Sequence, residues 1–311
     1  MNGGLGLGMS LGKENQQAAV IMAGGGATES LLQLLSANVS ADARYLFSVS
    51  RVINDNYNGA LIRVRRTSDN TEQDINALNG ELDTASLLTF TGTTGTDNGR
   101  ITTIYNQTDF VGLPNLVQNA SSSQPYIVDA GALILSTNGK ALGRVKGAND
   151  MLLFTPIISG NNSALAVNLA VTNAANEQQI FTQASNSGDF KSAAVAAQGM
   201  SNLAHLRNRN AALANIYNEI AMSNTNLNSY AFNIKNAGAT GGDEIYLNAA
   251  AGNDSVTNAR GSTANNNFYL FSNIGTYYLT GTFAEVIGIF NYNFSAGDIS
   301  TISTNQNNFF G

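Results

Sequence analysis

The chain holds 311 residues, 43% of them apolar and 12% charged, with 15 Lys and Arg against 21 Asp and Glu for a net charge of −6. Charged positions run at about half the usual quarter of a globular protein, and Asn alone fills 43 sites against 36 charged ones, so the surface is polar and nearly neutral and broad electrostatic wrapping of nucleic acid or anionic lipid is excluded. The absence of Cys excludes disulfides, thiolate nucleophiles and Cys-ligated zinc, and a single histidine, His205, leaves no imidazole set for a common metal triad or a Ser/His/Asp arrangement.

Residues 1–43 read as a Gly-rich arm. MNGGLGLGMSLG opens the chain, and Gly24, Gly25 and Gly26 separate two short apolar stretches at 18–22 and 31–35. The glycines fit neither GxxxxGK[ST] nor a GxGxxG between strand and helix, so they supply backbone freedom rather than a phosphate cradle. Ser30 followed by Gln33 resembles a capping box that opens a short helix. The first cation is Lys13 and no apolar run nears the roughly 20 residues that cross a bilayer, so neither a signal peptide nor a transmembrane segment is expected.

Leu46, Val49, Val52 and Ile53 fall at helical spacing, and the polar run 54–59 then stops the chain. Between 60 and 66, Ile62 and Val64 alternate with Arg63 and Arg65, the period-two pattern of a half-buried strand. Residues 68–70 form a turn and 71–75 return as the hairpin partner. Asp83 caps a short helix through Phe90, and a strand follows over 100–105.

The segment YNGALIRVRRTSDNTEQDI at 57–75 resembles the hallmark segment of the concanavalin A-like sandwich of family 54 α-L-arabinofuranosidases, a segment also carried by lectin-like modules of bacteriophage structural proteins. ITTIYNQ at 101–107, QPYIV at 124–128 and GTFAEVIGIF at 281–290 continue the resemblance in order, so that it frames residues 42–310. The resemblance implies an all-β, concanavalin A-like jelly-roll sandwich over 44–311 with the arm at 1–43 attached. A double jelly-roll capsid fold is the alternative, because strand spacing alone does not separate one elaborated sandwich from two small barrels. The chain departs from the family at Asn106, where the family has Asp, at Thr108 and Asp109 in place of Ser-Gly, and in having no Cys.

From 130 to 290, apolar or alternating runs at 132–136, 151–154, 165–171, 192–197, 229–234, 244–248, 268–272 and 283–290 recur between Asn, Gly and Ser turns, the spacing of a sandwich. Residues 203–222 contain good helix formers, but Asn recurs every two or three positions and strands are expected there.

A glycosidase needs two carboxyl groups about 5–10 Å apart. Asp69, Glu72, Asp74, Glu219, Asp243, Glu244 and Glu285 are available, but turn chemistry explains Asp69 and a cross-strand pair with Arg63 or Arg65 explains Asp74, so no residue is assigned a catalytic role. Arg63, Arg65 and Arg66 form the densest positive charge; a phosphate or carboxylate site is one reading and pairing with Glu72 and Asp74 across the hairpin the other. His205 is expected at the surface or on an edge strand. Sugar hydroxyls match amides and sugar CH faces match aromatic rings, which singles out Tyr246, Asn248, Tyr269, Tyr277 and Tyr278 as candidate ligand-binding residues.

These features lead to the expectation of a non-enzymatic bacteriophage virion protein, a capsid, spike or fibre component located in the virion. Its arm would dock other virion proteins and its lectin-like sandwich would contact host glycans. A homo-oligomer is expected, with no nucleic-acid partner, no metal and no cofactor. A furanosidase-type hydrolase and a bacterial surface lectin or adhesin are the alternatives.

Overall fold

The computed structural model describes residues 29–146, 152–154, 163–171, 178–184, 190–195, 203–209, 215–222, 226–235, 243–252, 267–273, 277–290 and 292–311. Residues 1–28 of the expected arm lie outside the described residues. Its remainder forms two short helices, α1 (Leu31–Leu34) and α2 (Ala37–Asp42), and runs directly into β1 (Ala43–Ser48). The capping box expected at Ser30 is absent: its hydroxyl bonds the Gln33 side chain, and no side chain caps the helix backbone.

The helical spacing at Leu46 to Ile53 is overturned, since Leu46 lies in β1. Tyr45 and Phe47 face the central core while Ala43 and Leu46 face a second core behind the sheet. A strand buried on both sides loses its period-two signature, and apolar residues on two faces then mimic a helix.

The next elements follow the alternation. They are β2 (Ala60–Arg66), β3 (Glu72–Leu78), β4 (Glu81–Leu82), α3 (Thr84–Thr91) and β5 (Gly99–Ile104). The β3–β4 turn places Asn79 at φ 54° and Gly80 at φ 81°, a conformation that Asn and Gly adopt most readily. Asp83 caps α3 by accepting from the Ser86 amide at 3.0 Å. There follow β6 (Leu116–Val117), β7 (Tyr126–Asp129), β8 (Ala132–Leu133), β9 (Gly143–Val145) and β10 (Leu152–Phe154). The remaining strands are β11 (Ser163–Val171), β12 (Gln178–Ala184), β13 (Phe190–Val195), β14 (Leu203–Arg209), β15 (Asn215–Ala221), β16 (Asn228–Ile234), β17 (Glu244–Leu247), β18 (Ala250–Ala251) and β19 (Asn267–Leu270). The chain closes with β20 (Ser272–Asn273), β21 (Tyr277–Tyr278), β22 (Gly281–Phe290) and helix α4 (Ala296–Phe310). The strands expected over 203–222 are present as β14 and β15.

Antiparallel pairing orders one layer as β3, β2, β5, β6, β10, β19, β12, β13, β14, β15. The other runs from β1 and β9, which share one side of β22, through β22, β11, β16, β17 and β18. The β5–β7 and β7–β9 pairings carry the hydrogen-bonded sheet around the corner between the layers, so one sandwich forms and not two barrels. The layers meet across the central core, where Phe181 of β12 and Phe232 of β16 pack edge to face with centroids 5.4 Å apart.

Behind β22, β11 and β16 the sheet is lined by small or slender residues, Ala164, Ala166, Ala231, Ile287 and Ile289, and helices α1, α2 and α4 cover it with Leu31, Leu32, Leu35, Val39, Ile299 and Ile302. Small side chains let a helix backbone approach the sheet closely. Ser295 and Asp298 form a capping box at the start of α4, and the Asp298 carboxylate also accepts from the Ser36 amide at 2.7 Å and the Ser36 hydroxyl at 3.1 Å. One buried carboxylate thus ties the α1–α2 junction to α4.

Candidate functional site

The β2–β3 hairpin turns Arg63, Glu72 and Asp74 outward and buries Arg65. Arg63 of β2 lies opposite Asp74 of β3 and Thr103 of β5. Its guanidinium grips Asp74 with two bonds, Nε to Oδ1 at 2.7 Å and Nη2 to Oδ2 at 3.1 Å, and the Tyr105 hydroxyl donates to Oδ1 at 2.7 Å. The Tyr57 hydroxyl bonds the Ala60 carbonyl beside them. Arg63 and Asp74 side chains nevertheless remain 44% and 41% exposed, so the pair is open to a ligand.

The charge states follow from these contacts. The bond to Asp74 holds Arg63 above its ordinary value, and the bond from Arg63 holds Asp74 below the usual carboxylate range. Burial and then the Asp74 carboxylate push Tyr105 up to about 12; burial, then Tyr105 and Asp74, push Tyr57 up to about 12. At neutral pH the cluster is a carboxylate, a guanidinium and two neutral phenols. It keeps unused guanidinium donors and carboxylate lone pairs beside aromatic rings, a set that can bond adjacent hydroxyls and pack against a sugar ring.

The other arginines of the segment divide. Arg66 pairs with Asp69 at 2.6 Å, and Asp69 also accepts from the Thr71 amide and hydroxyl at 3.1 and 2.8 Å, the turn role expected of it. Arg65 stands opposite Glu72 in register, but its side chain bonds Gln124, Asn70 and the Ser121 carbonyl.

Of the residues singled out for ligand binding, Tyr246 and Asn248 lie on β17 and the turn after it. The Tyr246 hydroxyl donates to Glu244 Oε2 at 3.0 Å, Asn233 donates to the same oxygen at 2.9 Å, and Lys235 pairs with Oε1. Burial pushes Glu244 up, but these bonds outweigh it and leave the carboxyl below its usual range. Asn248 accepts from the Ser229 amide at 3.0 Å and donates to Asn228 at 2.7 Å. Both side chains are therefore engaged in bonds within the protein. The backbone of Tyr269, on β19, belongs to the opposite layer from Tyr246, and Tyr277 and Tyr278 lie on β21; the side chains of all three lie outside the described residues.

Asn106 is a brace. Its Oδ1 accepts from the Leu46 amide at 2.9 Å, and its Nδ2 donates to the Arg44 carbonyl at 2.9 Å and the Pro114 carbonyl at 3.4 Å. Gln107 beside it is fully buried, accepts from the Ile53 amide at 2.7 Å and donates to the Arg51 carbonyl at 3.1 Å. Both residues stitch β1 and the loop after it to the end of β5, so the amide at 106 performs a donor role that a carboxylate cannot. The expectation for His205 is overturned: it is fully buried on β14, which is flanked by β13 and β15. Among the described residues no group of three or more His, Asp or Glu could hold a metal ion, and no helix is long and apolar enough to cross a membrane.

No protein-family model and no curated protein sequence matches the chain. Solved structures do match. A family 54 α-L-arabinofuranosidase soaked with a cyclic sulfate inhibitor superposes with a TM-score of 0.60 at 14% identity, over 85% of this chain and 62% of that one. A glutamate-to-glutamine mutant of such an enzyme soaked with 4-nitrophenyl α-L-arabinofuranoside gives 0.58, and an arabinofuranosidase complexed with arabinofuranosyl-α-1,2-xylobiose gives 0.53, with the same identity and coverage. The fold is the concanavalin-like β-sandwich of these enzymes, and the chain corresponds to 62% of their length.

Proposed function

We propose that this protein is a non-enzymatic structural component of a bacteriophage virion whose sandwich contacts glycans through the Arg63–Asp74–Tyr105 face. The observation that carries the glycan reading is that face itself, a half-exposed carboxylate–guanidinium pair flanked by Tyr105 and Tyr57. Its placement on a fold shared with arabinofuranosidases supports a saccharide as the ligand. Placement in a particle rests on the phage-module resemblance of residues 57–75 and on the Asn-rich, charge-poor composition, with the Gly-rich arm as the attachment to other virion proteins. The absence of catalysis is supported by the state of the carboxylates: Glu285 is fully buried against Arg51, Glu244 is bonded by three side chains, and Asp69 and Asp74 are gripped by arginines.

Calorimetric titration with arabinofuranosyl-α-1,2-xylobiose and an assay with 4-nitrophenyl α-L-arabinofuranoside test the ligand reading together. Binding without nitrophenol release, lost in Asp74→Asn and Tyr105→Phe, is the expected result; binding unchanged in both variants overturns the site. The shared fold favours a furanosidase as the second reading, and nitrophenol release abolished by a Glu or Asp substitution establishes it. Mass spectrometry of purified phage particles tests the location, and absence of the chain from them overturns it.

A further inference from the structure

Two residues along β2 from Arg63, a second polar row crosses the same outer face. Arg65 lies opposite Glu72 on β3 and Arg100 on β5, Arg100 opposite Tyr126 on β7, and Tyr126 opposite Arg144 on β9. The row Glu72, Arg65, Arg100, Tyr126, Arg144 therefore spans five adjacent strands, about 19 Å at the usual interstrand spacing. Two cations lie against the Tyr126 ring, the Arg100 guanidinium 4.0 Å and the Lys146 ammonium 4.4 Å from its centroid. Arg65 bonds neutral groups, Gln124 Oε1 at 2.7 Å, the Ser121 carbonyl at 3.2 Å and Asn70 Oδ1. Arg100 reaches the Gln124 carbonyl at 3.0 Å. Arg144 and Lys146 share one carboxylate, Asp129, at 3.0 and 2.7 Å, and stay 39% and 42% exposed.

The charge on this face runs opposite to that of the chain. Arg63, Arg100, Arg144 and Lys146, with Arg65 buried beneath the row, stand against Glu72, Asp74 and Asp129, an excess of two positive charges on a protein of net charge −6. Concentrated cations in a chain that has few supply a local field, and the Tyr105 and Tyr57 rings beside Arg63 supply surface for a sugar face.

We infer that this face takes an anionic oligosaccharide, one whose units carry carboxylate or phosphate groups, laid across the strands from Arg63, Asp74 and Tyr105 toward Arg144 and Lys146. The inference rests on the glycan-contact reading and names the ligand class of that site. Nucleic acid is the poorer fit, because carboxylates interrupt the row and the chain carries a net charge of −6.

The test compares an oligogalacturonate, a 6-phosphorylated mannose oligosaccharide and the neutral arabinofuranosyl-α-1,2-xylobiose by calorimetry at low and moderate salt, with a deoxythymidine oligomer as competitor. At least one anionic ligand is expected to bind about fivefold tighter than the neutral one and to weaken about threefold on raising NaCl from about 50 to about 300 mM. Arg144→Gln with Lys146→Gln is expected to weaken the anionic ligand about fivefold and leave the neutral one unchanged, with the thermal unfolding profile retained. The salt series on the unaltered chain needs no variant and reads the same interaction. Equal or tighter binding of the neutral sugar, or anionic binding indifferent to salt, overturns the inference and leaves the glycan site standing. Failure of all three ligands overturns both, and displacement by the deoxythymidine oligomer at equal concentration overturns the ligand class. Which anionic ligand binds separates carboxylate from phosphate.

Discussion

Arg51→Met is expected to be among the most damaging single substitutions in the protein. Arg51 lies in the loop after β1 and grips Glu285 of β22 with two bonds, Nε to Oε1 at 2.6 Å and Nη2 to Oε2 at 3.1 Å, with side-chain exposures of 11% and 0%. The same guanidinium donates to Asn305 Oδ1 at 2.6 Å and lies 4.1 Å from the Phe309 ring centroid, so it also fastens the last turns of α4. Removing the cation leaves the buried carboxylate with two long contacts, the Ser48 hydroxyl at 3.4 Å and Gln306 Nε2 at 3.3 Å. Breaking a buried pair from one side costs about 3–5 kcal/mol, whereas replacing both members with apolar residues is often neutral. Urea unfolding followed by far-ultraviolet circular dichroism should therefore show that loss in Arg51→Met, and most of it should be restored when Glu285→Met is added. Amide exchange across residues 305–311 should accelerate in the single variant. A loss below about 1 kcal/mol, within the range of exposed pairs, or a double variant as unstable as the single one, refutes the argument.

Gly143→Ala should destabilise more than Gly80→Ala in thermal unfolding. An added Cβ at Gly143 would lie 2.3 Å from the Phe283 ring, an overpacking cost of about 1–3 kcal/mol; at Gly80 nothing lies within 4 Å and only the positive φ is strained, at about 1 kcal/mol. Asp298→Ala removes the N3 half of the α4 capping box together with two bonds from Ser36, for a loss of about 2 kcal/mol, and amide exchange over 31–42 should rise with it. Asn106→Asp turns a carboxylate oxygen against the Arg44 and Pro114 carbonyls and should cost about 1–3 kcal/mol with no arabinofuranosidase activity gained; activity in that variant would place residue 106 in a reaction site. Asp69, Asp74, Asp83 and Asp97 are all held below the ordinary carboxylate value, through bonds from Arg66, Arg63, Ser86 and Thr94 in turn. Their contribution is present above about pH 4 and is lost as pH falls through the folded values, so denaturant midpoints should decline below about pH 4, and a rise there contradicts the assignments.

Local chemistry in the sequence explains the hairpin of β2 and β3, the Asp83 cap and most strands of the second half, because each depends on alternation or on a turn residue within a few positions. Helix α4 was not legible from periodicity. Its Ser295 and Asp298 are a capping signal, but the segment is built of Ser, Thr and Asn, weak helix formers, and it is held by Ile299 and Ile302 in the second core and by Phe310 against Ile134, Leu142 and Ala284. The burial of His205 is hidden from the sequence for a related reason: burial of a polar side chain depends on which strands flank it, and no local pattern reports that.

The candidate site divides along the same line. Arg63 and Asp74 belong to one hairpin, and the alternation around it allows Asp74 to pair with Arg63 or Arg65; the register selects Arg63. Tyr105 joins them only because β5 docks on the far side of β2, and the row from Glu72 to Arg144 exists only because β7 and β9 carry the sheet around a corner. From the amino-acid order alone came the strands that keep an alternating face, the turns between them and the nearest cross-strand pairs, since these rest on contacts a few residues apart. Tertiary structure alone decided that β1 is buried on both faces, that three helices cover the back of the sandwich, and that scattered cations converge on one face, since those outcomes depend on register between strands far apart in the chain.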